Sequence, residues 1–261
     1  MASLSGRRAL VCGSTQGIGR ASAEALASEG AEIVLLARNA ERLHEVRNAL
    51  PQHDGASHAF LVADFSDPAG VRRVIAEYLA GHPPFHILVN NTGGPPPGLL
   101  IEATEASFRA AFDMHLFCNH ALVQAVVPGM RQEGYGRIVN IVSTSVREPI
   151  PGLGVSNTVR AATAGWAKTL SKELGPDGIT VNNILPGSTR TGRLERLIES
   201  RAKTGNTNVE LIERGMTAEI PLRRFADASE IAAAVAFLAS PAGAYITGVS
   251  LPVDGGRLAS F

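Results

Sequence analysis

A glycine-rich turn follows the first apolar run of the chain. The run Ala9–Cys12 leads into the segment from Gly13 to Gly19, and helical periodicity begins directly afterwards. Glycines at such a place let the backbone turn sharply and let a pyrophosphate approach the amide groups at the positive end of a helix. The pattern predicts a dinucleotide site, with a simple tight turn as the alternative, and its candidate residues are Gly13, Ser14, Gln16, Gly17, Ile18 and Gly19.

The second apolar run ends in Ala37, Arg38 and Asn39. A carboxylate there would accept the ribose hydroxyls of NAD, whereas an arginine can pair with the 2′-phosphate of NADP. We therefore expect NADP(H) to be preferred over NAD(H), with a solvated Arg38 as the alternative. Further candidate contacts follow the third and fourth runs, where open sheets bind ligands, and these are Asp64, Phe65, Asn90 and Gly93.

The charge and cysteine content narrow the class of protein. The 261 residues carry 24 basic and 24 acidic side chains, so no basic face for nucleic acid or an anionic membrane is expected. The start of the chain has no apolar stretch long enough for a signal sequence or a membrane span. Cys12 and Cys118 are predicted to be reduced core residues, which favours a cytoplasmic protein without structural metal.

Short apolar runs alternate with helical stretches along the whole chain. The runs are Ala9–Cys12, Ile33–Ala37, Ala59–Ala63, Ile87–Asn90, Ile138–Val142, Thr180–Leu185 and Val249–Val253. The helical stretches are Arg20–Glu29, Ala40–Leu50, Pro68–Ala80, Glu105–Gln132, Thr158–Leu174 and Ser229–Ala239. This alternation predicts an α/β protein: a single-domain Rossmann fold over residues 1–261, with a doubly wound parallel sheet of about seven strands and helices on both faces.

One segment interrupts the alternation. Residues 188–220 carry mixed charges around a modest apolar stripe of Leu194, Leu197 and Ile198. Two interpretations stay open for this segment, a solvated helical insertion and a mobile lid over a substrate site.

The motifs as a set resemble the short-chain dehydrogenase/reductase family of classical length, over nearly the whole chain. The matching segments are Gly13–Gly19, Asp64, Asn90–Gly93, Arg137–Ser143, Val181–Gly187, Thr191 and Val253–Gly256. The resemblance implies that Asp64 contacts adenine, that Ser143 is the catalytic serine and that Thr191 holds the nicotinamide carboxamide. It adds Pro186 and Gly187 to the cofactor-binding candidates. It also implies a homotetramer, paired through the helical stretches Glu105–Gln132 and Thr158–Leu174.

The expected catalytic centre of that family is altered here. Counting from Ser143, the position of the family's proton-donating tyrosine holds Ser156, and that of its lysine holds Arg160. The position of its water-anchoring asparagine holds His115. This combination, with the loop Asn91–Gly98, is similar to a divergent branch of the family with Ser-Asn-x-x-x-Arg in place of Tyr-x-x-x-Lys.

The retained serine and the altered residues each suggest a role. Ser143 can stabilise developing oxyanion charge, and Arg160 can bind the nicotinamide ribose and an anionic substrate. Arg147 can contact the same anion, or else it is an exposed and structurally neutral arginine. Ser156 can be a second donor or can order a water molecule. His115 is expected to titrate near neutrality and to pass protons through water, or else to be a satisfied core residue.

The leading hypothesis is an NADP(H)-dependent oxidoreductase that transfers a hydride between nicotinamide and a small carbonyl or hydroxyl substrate, with a non-standard catalytic centre. Two alternatives remain. One is a catalytically silent NADP(H)-binding sensor or scaffold, and the other is a non-redox lyase or isomerase on the same fold.

Overall fold

The computed structural model describes residues 3–53 and 57–260. The strands are β1 (Arg8–Cys12), β2 (Glu32–Ala37), β3 (Ala59–Val62), β4 (Ile87–Asn90), β5 (Gly136–Ile141), β6 (Ile179–Pro186), β7 (Thr189–Arg190), β8 (Ala226–Asp227) and β9 (Ser250–Val253). Seven of them form one parallel sheet in the order β3-β2-β1-β4-β5-β6-β9, and β7 pairs with β8. The predicted α/β class and seven-stranded parallel sheet are confirmed.

The helices are α1 (Gly17–Ser28), α2 (Ala40–Ala49), α3 (Pro68–Leu79), α4 (Glu105–Phe112), α5 (Cys118–Glu133), α6 (Gly154–Leu174), α7 (Gly192–Thr204), α8 (Val209–Ala218) and α9 (Ala228–Ala239). Helices α1, α2 and α9 pack on one face of the sheet, and α3, α5 and α6 pack on the other. No helix in the described ranges is long and apolar enough to cross a bilayer.

Burial follows the position of each strand in the sheet. Every residue of β1 is buried, because helices cover both faces of a central parallel strand. The edge strands β3 and β9 are only partly buried. Cys12 and Cys118 are free thiols in the core on the face of α5, as predicted, and burial raises the pKa of both.

The predicted helix over Glu105–Gln132 is not uniform. A π-helical turn, Asp113–Phe117, separates α4 from α5. A π turn widens the helix locally and changes the direction of the side chains it carries. In this protein it carries His115, which is buried.

The segment 188–220 contains β7, α7 and α8. Its apolar stripe packs in a cluster separate from the two main cores, formed by Leu194, Ile198, Ile220 and Phe225. The helical character expected of this insertion is therefore observed. Its role as a lid stays a prediction.

Candidate active site

The glycine turn forms a cradle that side chains cannot enter. Gly13 and Gly17 have φ of +57° and +54°, a conformation that favours glycine. A Cβ on Gly19 would stand 2.3 Å from the carbonyl oxygen of Gly13. This bare backbone at the start of α1 has the chemistry that a pyrophosphate requires, so the residues present fit a nicotinamide dinucleotide.

Two side chains fasten the turn to neighbouring strands. Ser14 Oγ is fully buried and accepts from the backbone N–H of Leu36 at 3.1 Å. Asn91 Nδ2 donates to the carbonyls of Cys12 and Gly13 at 3.2 and 3.3 Å. Asn91 therefore holds the cradle in place. The sequence indicates the neighbouring Asn90 as a cofactor contact, which stays a prediction, and does not indicate this role of Asn91.

Two further candidates of the turn, Gln16 and Ile18, lie at the start of α1. Gln16 is the N-cap of α1 with extended backbone and makes no side-chain capping bond. Ile18 lies in the first turn of α1 and packs against the core, and its carbonyl accepts from Ser22 Oγ at 2.7 Å.

Arg38 lies at the carboxyl end of β2, beside a cavity of about 300 Å³ that Asp64 and Arg73 also line. Its side chain is 73% exposed, and Nη1 lies 3.7 Å from Asp64 Oδ2. The backbone N–H of Ser66 and then the Arg38 guanidinium lower the pKa of Asp64. Both groups are available to a ligand, because an exposed pair at this distance is weak. Arg73 is a second cation here that the sequence did not single out.

Ser143 follows β5 at the same edge of the sheet. Its backbone is extended, with φ of −175°, and its Oγ accepts from the N–H of Ser145 at 3.0 Å. Because the backbone amide occupies one lone pair, the hydroxyl hydrogen is free to donate to another group.

Arg160 connects α6 to the end of β5. Its side chain is buried, and Nε donates to Ser156 Oγ at 3.2 Å. Nη1 donates to the carbonyls of Ile141, at 3.3 Å, and Val142. Burial, and then the charge of Arg193, lower the pKa of Arg160 to about 10, so the guanidinium remains charged at neutral pH. It pairs with no carboxylate in the described part of the chain.

His115 is 4% exposed and lines a cavity of about 10 Å³ with Asn90, Asn119 and Arg160. A polar cavity of this size matches a single water molecule. Unpaired polar atoms of this buried group are His115 Nε2, Asn90 Oδ1 and Asn119 Oδ1. The cavity is therefore built for hydrogen bonding.

The expectation that His115 titrates near neutrality is wrong. Burial, followed by the charges of Arg160 and Arg193, lowers its pKa to about 3. The imidazole is neutral at physiological pH because two cations and a desolvated setting all disfavour its protonated form.

Asn90 begins a row of amides that crosses the sheet below the site. Its Nδ2 donates to Asn140 Oδ1 at 2.8 Å, and Asn140 Nδ2 donates to Asn183 Oδ1 at 3.0 Å. Asn183 Nδ2 then donates to Ser250 Oγ at 3.1 Å. These residues are register partners on β4, β5, β6 and β9, which only the strand order reveals.

The remaining candidates lie near the same edge. A Cβ on Gly187, which follows Pro186, would stand 2.7 Å from Asp254 Cα, so this turn packs against the chain after β9. Thr191 is the N-cap of α7, and its Cγ2 would lie 3.1 Å from a Cβ on Gly17. Phe65 is buried, and its carbonyl accepts from Cys118 Sγ. Gly93 begins the proline loop, and its backbone partly offsets the lowered pKa of His115.

The three tyrosines, all in the described ranges, lie away from the His115 cavity. Tyr78 stacks on His82, Tyr135 Oη donates to the carbonyl of Ala239, and Tyr245 is fully exposed. Arg147 is exposed, and its Nη2 donates to the carbonyl of Ser250 at 3.1 Å, while its contact with a substrate stays a prediction.

Comparison with known proteins places the chain in a family. A family model described as enoyl-(acyl carrier protein) reductase matches residues 13–257. The NADPH-dependent reductase BacG of Bacillus subtilis is 32% identical over 261 residues, 98% of this chain and 100% of that protein. The 3-oxoacyl-(acyl-carrier-protein) reductase FabG of Escherichia coli is 33% identical over 251 residues, 96% of this chain and 97% of that protein.

A solved structure shows the same similarity. The L-sorbose reductase of Gluconobacter frateurii, complexed with NADPH and L-sorbose, superposes with a TM-score of 0.94 at 32% identity, covering 100% of both chains. The family model, the relatives and the solved structure all fit a parallel sheet with a glycine cradle at its first helix. The chain therefore belongs to the short-chain dehydrogenase/reductase family of NAD(P)-dependent oxidoreductases.

Proposed function

We propose that this protein is an NADP(H)-dependent reductase of a small carbonyl compound, in which serine and arginine groups replace the family's tyrosine and lysine. The observation that carries the proposal is the contact of Arg160 with Ser156 and with the end of β5, because it fixes a cation and one serine hydroxyl beside the strand end that Ser143 follows. The relatives that are named for NADPH support the choice of cofactor.

The residues that would hold the cofactor are the glycine cradle, Arg38 at the 2′-phosphate, Asp64 at the adenine and Thr191 at the carboxamide. Carbonyl reduction needs a hydride, which the reduced nicotinamide supplies when it is bound. Asn91 and Ser14 would stabilise this arrangement. Asn91 binds two carbonyls of the turn, and Ser14 connects the turn to Leu36 of β2.

Ser143 and Ser156 would stabilise the negative charge that develops on the substrate oxygen. Each hydroxyl oxygen accepts one fixed N–H, from Ser145 and from Arg160 respectively, so each hydroxyl hydrogen is free to point at the substrate. The buried guanidinium of Arg160 adds positive charge to the same place. Donors preorganised in this way stabilise an alkoxide without a titrating acid.

The proton that completes the reaction must come from water or through Ser156, because His115 is neutral over the physiological range. A neutral imidazole can still donate one hydrogen bond and accept another. In this scheme His115, Asn90 and Asn119 position a water molecule by hydrogen bonds, and the proton moves through water and the Ser156 hydroxyl while His115 stays neutral. Residues 188–220 would close over the substrate as a lid.

A catalytically silent NADP(H)-binding protein is the second candidate. The observation that favours it is Ser156, which is buried and bonded to Arg160 at the position where the family has its phenolic acid. A serine hydroxyl is a much weaker acid than a phenol, so the loss of turnover is a direct chemical alternative.

The test is a titration of the purified protein with NADPH and with NADH, followed by nicotinamide absorbance in a panel of aldehydes, ketones and oxo acids. We expect NADPH to bind at least about tenfold more tightly and to be oxidised by a member of the panel. Tight binding without oxidation, together with activity gained by the Ser156→Tyr/Arg160→Lys double variant, would select the silent protein. If neither nucleotide binds, both proposals fail.

A further inference from the structure

Arg193 reaches from the insertion toward the loop that follows β4. It lies in the first turn of α7, and a Cβ on Gly94 would stand 1.9 Å from its Nη1. The guanidinium therefore lies directly against the bare backbone of Gly94. This contact connects the insertion with the proline loop, two segments about a hundred residues apart in sequence.

The electrostatic surroundings of Arg193 are positive. The charge of Arg193 lowers the pKa of both Arg160 and His115. The pKa of Arg193 itself is lowered by partial desolvation and by the charge of Arg196. No carboxylate of the described residues offsets these effects. The side chain of Arg193 is exposed, and it adds a second guanidinium to the surroundings of Arg160, which is buried and pairs with no carboxylate of the described residues.

Two acidic residues near this edge are engaged elsewhere. Glu148 Oε1 accepts from the backbone N–H groups of Ala259 and Ser260 at 3.0 and 3.2 Å. Asp254 accepts from Gly256 and Leu258 at 3.0 and 2.9 Å. Only burial and other arginines act on the pKa of Arg160 and of Arg193, so no carboxylate of the described residues neutralises the two guanidinium groups. Positive charge of this kind next to a binding edge is neutralised most simply by a ligand.

We propose that Arg193 binds the carboxylate of the substrate, so that the protein reduces oxo acids rather than neutral carbonyl compounds. The proposal rests on the proposed reductase function and names its substrate class. A guanidinium presents two parallel N–H groups that match the two oxygens of a carboxylate. Gly94 leaves room for this fork, and Arg160 supplies the second positive charge.

The position of Arg193 separates this role from binding of the cofactor pyrophosphate. The pyrophosphate site is the glycine cradle, which Thr191 approaches at Gly17. Arg193 instead lies over Gly94 and acts electrostatically on Arg160 and His115. The substrate carboxylate is therefore the anion that this cation is placed to meet.

The experiment compares an oxo acid with its neutral ester in the NADPH-loaded protein. The probes are 2-oxobutanoate and methyl 2-oxobutanoate, and the variants are Arg193→Gln, Arg193→Lys and Arg201→Gln. Arg201 is exposed at the other end of α7, so Arg201→Gln makes the same charge change as a control. We expect Arg193→Gln to raise KM for the acid by about tenfold or more and to leave the ester unchanged.

Three further variants show whether the change in KM for the acid comes from the guanidinium of Arg193. We expect Arg193→Lys to recover part of the loss and Arg201→Gln to behave as the parent. Gly94→Ala should also weaken the acid selectively, because its methyl group displaces the guanidinium. Equal losses for acid and ester would overturn the proposal, as would a tenfold loss of NADPH affinity in Arg193→Gln, which would assign the residue to the cofactor.

A binding readout keeps this inference separate from the reductase proposal. Calorimetric titration of 2-oxobutanoate into the NADPH-loaded protein reports carboxylate binding even if no hydride is transferred. Binding that Arg193→Gln abolishes, with no turnover of 2-oxobutanoate or of any other carbonyl in the panel by the parent, would support the anion site and refute the reductase. Turnover of neutral carbonyls, with no binding of or activity on the oxo acid, would refute the anion site alone.

Discussion

The two serine hydroxyls of the site share one hydrogen-bond arrangement. Ser143 Oγ accepts from a backbone amide, and Ser156 Oγ accepts from the Arg160 guanidinium. Each oxygen is thereby fixed, while each hydrogen remains free to donate. At the scale of single residues, we therefore propose a site of preorganised donors rather than an acid–base pair.

Replacement of Ser143 by alanine tests this arrangement. We expect Ser143→Ala to lower kcat/KM by about 100-fold or more and to leave NADPH affinity unchanged. The lost bond to Ser145 N–H should cost about 1 kcal/mol of unfolding free energy. Ser145→Ala is the matched control, because Ser145 Oγ is buried without a partner among the described residues. Equal losses of activity in both variants would contradict the role of Ser143.

The lowered pKa of His115 predicts a pH dependence of stability. The folded state holds its pKa at about 3, below the ordinary 6.5, so the unfolded chain binds the proton more readily. The contribution of His115 to the free energy of unfolding is therefore fully present above pH 6.5. It is lost as the pH falls from 6.5 toward 3, by at most about 1.4 kcal/mol per pH unit. Urea unfolding of the parent and of His115→Asn checks this. The difference between their unfolding free energies should change with pH in that range, and a constant difference would refute the shift.

Arg38 predicts which dinucleotide is preferred. Arg38→Gln should weaken NADPH binding by about tenfold or more and leave NADH binding unchanged, since only NADPH carries the 2′-phosphate. Arg42→Gln, an exposed arginine one turn into α2, is the control for the change in net charge. Titrations of both nucleotides measure the effect. Parallel weakening of NADH would assign Arg38 to a structural role.

At the scale of elements, the junction between β1 and α1 leaves no room for a side chain at Gly19. A methyl group on Gly19 meets the backbone of Gly13 at 2.3 Å, and neither side of this contact is a flexible side chain. The strand, the turn and the helix must therefore move together if the glycine is replaced.

Two glycine-to-alanine substitutions test this junction. Gly19→Ala should lower NADPH affinity by more than about tenfold and reduce stability by about 1–3 kcal/mol through overpacking. Gly215→Ala, at an exposed position of α8 with open space around it, should increase stability by about 0.5–1 kcal/mol. Thermal unfolding and NADPH titration measure both. A harmless Gly19→Ala would contradict the close packing of the turn.

At the scale of the whole molecule, we propose that the chain assembles as a homotetramer. Phe117, at the end of the π turn, is 51% exposed and lies on the α4–α5 face that the family resemblance assigns to an interface. An aromatic side chain that is half exposed on such a face favours burial against another subunit.

Sedimentation measures the proposed assembly. We expect a particle of four times the 27.3 kDa chain mass. Phe117→Glu should shift it to a smaller mass, because a carboxylate in an apolar interface loses its hydration. Leu211→Glu, on exposed α8, serves as control and should leave the mass unchanged. A parent that sediments as a monomer would refute the tetramer.

The sequence by itself determined the fold and the start of the cofactor site. Apolar runs of strand length alternate with helical periodicity, and a parallel sheet is the arrangement that buries them. The sequence did not determine the π turn at Asp113–Phe117, because five residues are too few to distinguish a π period from an α period.

Only the tertiary structure decided the chemistry of the site. The pKa of His115 depends on the burial of its side chain and on the charges of Arg160 in α6 and Arg193 in α7. The contact of Arg193 with Gly94 and the amide row from Asn90 to Asn183 join residues that lie far apart along the chain. Periodicity is a local property that a sequence displays directly, whereas desolvation and charge coupling depend on distances that exist only after packing.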